Sequence, residues 1–221
     1  MSGMPLTVEI WSDVVCPWCY IGKRRFEAAL ARFPHRDEVE VTYRSFELDP
    51  DAPARHPGSG AERLAEKYGV SVEEAQAMNA RVTGVAAEDG LDYHLDVARG
   101  GNTLDAHRML HLAAAHRVQA EAKERLMRAY FTEGEPISDA DTLARLVASV
   151  GVPEDEAREA LSGDRFVAEV RDEEQLGAQL GIRGVPFFVL DRRYGVSGAQ
   201  SADVLLRALE QAWDEASTRA A

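Results

Sequence analysis

Polar and apolar positions alternate through LTVEIWSD, residues 6–13, where Leu6, Val8 and Ile10 fall on one side of an extended chain. From Cys19 the rhythm becomes helical, through Gly22, Phe26, Ala29, Leu30 and Phe33, until Pro34 closes the stretch. Alternation returns in EVEVTYRSFEL, with Val39, Val41 and Tyr43 in step and Phe46 at the end of the run. The pattern predicts a strand, a helix and a second strand joined as a right-handed βαβ unit.

The next run, DPDAPARHPGSG, is dense in proline and glycine and reads as a connector out of the sheet. Strand patterning is then absent until VPFFVLDRRYGVSG. Ser71 and Glu74 have capping-box spacing ahead of a helix through Ala75, Met78 and Val82. Five more helices are predicted in TLDAHRMLHLAAAHR, AEAKERLMRAYF, DADTLARLVASV, PEDEAREAL and RFVAEVRDEEQLGAQL, with Gly151 and Gly181 as C-terminal caps. Two β-rich runs then flank Asp191-Arg192-Arg193 as in a hairpin. Ser201 caps a last helix whose apolar face is Val204, Leu205, Ala208, Leu209, Ala212 and Trp213. The order is β-α-β, a helical block, then α-β-β-α. Without the block it is a thioredoxin-like α/β core, expected in residues 1–55 and 165–221, with residues 56–164 as the inserted helical domain.

Composition narrows the chemistry. With 221 residues, 45% of them hydrophobic, the chain buries a full core unaided, and its two cysteines are too few for a disulfide framework. A net charge of -13 speaks against nucleic acid or an anionic membrane surface as partner. The N-terminal MSGMPLTVEIWSD lacks a secretory pattern, and no apolar run approaches the roughly 20 residues of a membrane span. The expected compartment is the cytoplasm, where a close pair of thiols is catalytic, redox-sensing or metal-binding rather than structural.

Both cysteines lie in VVCPWCYIGK, where the first strand hands over to the helix. Unpaired N–H groups and aligned peptide dipoles at a helix start favour a thiolate at Cys16, with Cys19 one turn further in. Residues three apart on a helix are neighbours, so the two can close a disulfide, and Pro17 at the first helical position costs no hydrogen bond. Cys16 reads as the nucleophile and Cys19 as the resolving thiol. A CxxC pair is also half of a zinc site, which His107 and His111, four apart on one helix face, would complete as a Cys₂His₂ set. Val185-Pro186 stands at the entrance to a strand, and by propensity alone the bond is trans.

SDVVCPWCYIGK, YRSFELDP, NTLDAHR, GVPFFV and SGAQ, in that order and spanning nearly the whole chain, resemble the DsbA-like branch of the thioredoxin superfamily, and its FrnE-type subgroup in particular. The resemblance implies a thioredoxin-like fold with a large helical insertion. It also implies that Cys16 attacks and Cys19 resolves, and that Pro186 is cis and faces the pair. Substrate contacts then fall to the main chain at Val185 and to Trp18, Asn102, His107 and Arg108. The same residues have plainer readings: Asn102 as a helix cap, His107 as a core histidine, Arg108 as a solvated charge, Trp11 and Tyr20 as packing, and Lys23, Arg24 and Arg25 as a solvated flank. Many thioredoxin-like proteins place a buried carboxylate six residues before the first cysteine, where this chain has Ile10. Asp13 or water is then the candidate helper for Cys19.

The activity so implied is thiol–disulfide exchange with a disulfide- or thiol-containing protein, peptide or small molecule. The direction stays open, although a reducing cytosol favours reductase or isomerase work. No resident cofactor or metal is expected, and glutathione is a candidate reductant or co-substrate. Helical blocks of this kind dimerise in relatives, which puts a homodimer among the expectations. Two alternatives stand beside this reading. One is a glutathione-dependent isomerase or transferase of the 2-hydroxychromene-2-carboxylate isomerase or kappa-class type, which use a serine or a bound glutathione thiol where Cys16 stands. The other is a non-catalytic zinc-binding module.

Overall fold

The computed structural model describes residues 5–220. In chain order its elements are β1 (Leu6–Ser12), α1 (Pro17–Arg32), a 3₁₀ turn (Arg36–Glu38), β2 (Val39–Ser45), α2 (Gly60–Tyr68), α3 (Val72–Glu88) and α4 (Leu104–Ala115). They continue as α5 (Gln119–Phe131), α6 (Ala140–Ala148), α7 (Glu154–Ser162), α8 (Val167–Gln179), β3 (Phe187–Leu190), β4 (Tyr194–Ser197) and α9 (Ala202–Ala220). The chain divides into two compact units, Met1–Phe46 with Glu173–Ala221, and Glu47–Asp172. The second division falls inside α8.

The first unit is a mixed sheet of order β2-β1-β3-β4. β1 runs parallel to β2 and antiparallel to β3, which pairs antiparallel with β4. The register matches the apolar alternation of the sequence, since Leu6, Val8 and Ile10 stand beside Val39, Val41 and Tyr43. That face joins Phe188 and Leu190 to Phe26 and Ala29 of α1, to its C-cap Phe33, and to Leu205, Leu209 and Ala212 of α9. Opposite it, Trp11 clusters with Val189 and Ile182, against Phe187 and Leu176. The hairpin loop places Asp191 and Arg192 at φ of 50° and 51°, the left-handed pair that matches the twist of the flanking strands.

On the Trp11 side of β1 lies a charged network. Glu9, 4% exposed, accepts from Nε and Nη2 of Arg44 at 2.9 and 2.6 Å and from Arg192 at 2.9 and 3.1 Å. Arg44 also reaches Glu173 at 2.6 Å, whose second carboxylate oxygen accepts from the Ser45 N–H at 2.7 Å. The indole of Trp11 donates to the Glu173 carbonyl at 3.0 Å. This explains why Glu173 belongs to the sheet unit while Asp172 does not. Burial alone would push the Glu9 carboxyl up, but Arg192 and Arg44 outweigh it and hold it below the usual carboxylate range.

The second unit is helical. α4, α5 and α6 share a core of Met109, Leu110, Leu112, Leu126, Met127, Phe131, Leu143, Leu146 and Val147. Ser71 and Glu74 form a complete capping box at α3. Gly151 and Gly181 are left-handed helix ends, where Val152 donates to the Val147 carbonyl and Ile182 to that of Gly177. Helix α2 differs from the sequence reading, which ran a connector through its start. Ser59 and Glu62 form a second capping box there, and Gly69 closes it at φ 64°. The Ser-x-x-Glu spacing was the available signal, at the tail of the proline- and glycine-rich run.

Because Glu9 titrates lower folded than unfolded, its stabilisation is complete above about pH 4.3 and is lost as pH falls through the lower native value. Urea titrations of Glu9→Gln should show stability at pH 7 reduced by about 1–3 kcal/mol. They should also show a shallower decline toward acid than in the wild type. Parallel declines would remove Glu9 from the acid transition.

Candidate active site

Strand β1 ends at Ser12, and a tight turn comes next in which the Cys16 N–H donates to the Asp13 carbonyl at 3.3 Å. Cys16 is the N-cap of α1, extended at φ -84° and ψ 115°, with Pro17 in the first turn. Its carbonyl accepts from the N–H groups of Cys19 at 3.0 Å and Tyr20 at 3.4 Å, which fixes the second cysteine one turn into the helix. The first turn of α1 carries no acidic side chain to neutralise the helix end. Neither cysteine is in a disulfide and both are buried, Cys16 at 4% and Cys19 at 1% exposure. Trp18 between them is 44% exposed.

The segment entering β3 meets this turn. The Cys16 sulfur lies 3.7 Å from the Val185 carbonyl oxygen, in donor position toward it. The Val185–Pro186 peptide bond is cis. Pro186 is buried, its carbonyl accepts from the Gly198 N–H at 2.8 Å, and its ring rests on Gly22 of α1. One turn beyond Gly22, Nη1 of Arg25 donates to the Ala199 carbonyl at 2.7 Å. The SGAQ segment thus braces both the Pro186 carbonyl and α1. The sequence offered Gly22 only as one step of an apolar rhythm, and gave no sign of this contact.

The basic run after the cysteines is not a solvated flank. Lys23 is buried and pairs with Glu27 at 2.6 Å, while Arg24 lies 5.5 Å from the centre of the Tyr20 ring. Trp11 and Tyr20 are buried, as packing residues are. Ile10 sits in the apolar face against α1, and Asp13 is 1% exposed in the turn ahead of Cys16.

The other candidates belong to the helical unit. His107 is fully buried on α4, and His111 stacks on Phe166 with ring centres 5.9 Å apart. Asn102, one residue before the α4 N-cap Thr103, accepts from the Leu104 N–H at 2.9 Å and donates to the Pro50 carbonyl at 3.1 Å, so it holds the turn into α4 and ties down the connector. Arg108 is not a solvated charge. It is 4% exposed and bonded to the carbonyls of Ala160, Gly163 and Arg165, with Asp105 at 2.6 Å. Those carbonyls lie where α7 ends and the chain turns toward α8, and a planar fork of N–H donors satisfies several at once. Among the described residues no group of three or more His, Cys, Asp or Glu could hold a metal ion, so the Cys₂His₂ set gains no support. No helix there is long and apolar enough to cross a membrane.

Residues 7–210 match the DSBA-like thioredoxin domain family. The chain is similar to the probable DsbA oxidoreductase SCO1869 from Streptomyces coelicolor, with 46% identity and a TM-score of 0.91 over 95% of this chain and 91% of that one. It shares its fold with the cytosolic disulfide reductase DsbM from Pseudomonas aeruginosa, solved with GSH, at 22% identity and a TM-score of 0.63 over 93% and 98% of the two chains. A 2-hydroxychromene-2-carboxylate isomerase shares it at 14% identity and a TM-score of 0.70, over 96% and 98%.

Replacing Arg108 by Met keeps much of its volume and strands the carbonyls it serves. Arg108→Met should lower stability by about 2–4 kcal/mol in urea unfolding, because charge-assisted bonds to buried groups are lost together. A change under about 0.5 kcal/mol, the range of ordinary surface substitutions, would show that the clamp contributes little.

Proposed function

This chain belongs to the DSBA-like thioredoxin domain family, and on that premise we propose that it is a thiol–disulfide oxidoreductase of the FrnE type whose working pair is Cys16 and Cys19. The observation that carries the proposal is the placement of two cysteines, not joined in a disulfide, one helical turn apart at the start of α1, the first facing the Val185 carbonyl at 3.7 Å.

In the reducing direction the Cys16 thiolate attacks one sulfur of a substrate disulfide, the S–S bond breaks, and the other sulfur leaves as a thiolate that takes up a proton. Cys19, deprotonated, then attacks the Cys16 sulfur of the mixed disulfide. The Cys16–Cys19 bond forms and the second substrate thiolate departs, so two electrons have passed from the dithiol to the substrate. Turnover needs an external thiol, for which glutathione is the chemical class. The reverse sequence oxidises a dithiol. In the cytoplasm, where we place the protein, glutathione keeps thiols reduced, and reduction or isomerisation is the favoured direction.

The substrates are disulfide-bearing proteins or peptides. Pro186 has no N–H to compete for them, so the main chain at Val185 can pair with an extended segment while exposed Trp18 offers an apolar face beside the sulfurs. A glutathione-dependent isomerase is the less favoured reading, because a free cysteine stands at position 16 with a second beside it.

The test is equilibration in graded glutathione redox buffers, then thiol alkylation and mass spectrometry. The expected result is one two-electron transition to an intramolecular Cys16–Cys19 disulfide. Cys16→Ser should abolish disulfide turnover, and Cys19→Ser should accumulate mixed disulfides. Thiols that stay reduced throughout, or a glutathione adduct without the intramolecular bond, would overturn the proposal.

A further inference from the structure

A glycine inside a helix is less favourable than alanine, because it loses more backbone freedom on folding. Gly22 lies inside α1, one turn past Cys19, with no left-handed backbone to require it. The residue that requires it is Pro186. A β-carbon at position 22 would stand 2.8 Å from the proline Cγ and 3.4 Å from its Cβ, with Phe188 Cζ at 3.5 Å behind. The proline ring can change pucker but cannot swing away about its Cα–Cβ bond as an open side chain does, and its carbonyl is tied to the Gly198 N–H at 2.8 Å. A side chain at position 22 therefore crowds the Val185–Pro186 segment against the helix, and the segment carries the carbonyl that faces Cys16.

We infer that Gly22 is a positioning residue: by letting Pro186 rest on α1 it sets the height of the Val185 main chain beside Cys16, and so selects disulfides flanked by peptide groups. Arg25 acts with it from the next turn, through its bond to the Ala199 carbonyl beside Gly198. The inference rests on the oxidoreductase reading and specifies which disulfides that site takes. A substrate strand pairs with the Val185 main chain only where that chain stands in line with the sulfur under attack. A small aromatic disulfide has no peptide groups to pair and depends on Cys16 alone.

The experiment compares kcat/KM on two substrates, a short peptide pair joined by an interchain disulfide and dithiobis(nitrobenzoate), for the wild type and Gly22→Ala. The expected result is a loss of about tenfold or more on the peptide, chiefly in KM, with the aromatic disulfide within about twofold of the wild type. Proportionate loss on both substrates is the signature of mere destabilisation, and it overturns the inference, as does unchanged peptide kinetics. If Gly22→Ala does not fold, Arg25→Gln decides on the same two substrates. A peptide-selective loss restored by Arg25→Lys supports the inference, and no selective loss overturns it. A wild type that forms no Cys16–Cys19 disulfide and reduces neither substrate refutes the oxidoreductase reading itself, an outcome distinct from any shown by the variants.

Discussion

The site depends on one register. β1 and β3 run antiparallel with Trp11 beside Phe187, so the chain leaves β1 where it enters β3. Cys16 lies just past the exit and Val185 just ahead of the entrance, and residues 169 positions apart in sequence come within 3.7 Å. A slip of one residue would turn Phe188 and Leu190 out of the face they share with α1 and would carry Val185 away from the sulfur. The register of β1 with β3 therefore fixes the chemistry's geometry before any active-site residue is considered.

The two faces of the sheet secure that register by different means. Against α1 and α9 the contact is apolar and close, with Phe26 and Phe188 rings 5.6 Å apart at the centre of it. The other face combines the Trp11 cluster with charges matched two against two, Glu9 and Glu173 with Arg44 and Arg192. Desolvation opposes such a network, and the lowered Glu9 carboxyl shows that the guanidinium groups more than compensate. Each bond in it is directional. Arg44 links Glu9 of β1 to the Glu173 side chain, and Trp11 can reach the Glu173 carbonyl because Gly177, one turn on, leaves room for the indole.

Much of this was legible in the sequence, and the reason is periodicity. β1, α1 and β2 announce themselves by a change from alternate to helical spacing, and the cysteines by falling at that change. The Ser71 capping box, the left-handed glycines at 151 and 181 and the Asp191–Arg193 hairpin obey local rules and lie where those rules put them. Local rules also misled. Ser59 begins α2 although proline and glycine crowd the residues before it, because a cap is decided by the residues on its C-terminal side, here Glu62. Gly22 was invisible because its meaning lies in Pro186, far along the chain, and no periodicity reports a contact of that range.

Arg108 shows the same limit from the opposite side. In the sequence it is a charged residue next to His107, within NTLDAHR, one of the motifs on which the family resemblance rests, and both a substrate contact and a solvated charge were open to it. In the fold its Nε and both terminal nitrogens are engaged, with main-chain carbonyls and with Asp105. Burying a guanidinium is costly unless nearly all its donors are used, so a 4% exposed arginine that offered them to a passing ligand would sit unsatisfied between turnovers. The helix joint needs those donors continuously, and a substrate needs them only while bound. Permanent partners therefore occupy the side chain, and under the proposed function contact with a substrate is left to groups beside the sulfurs, the Val185 main chain and the exposed face of Trp18.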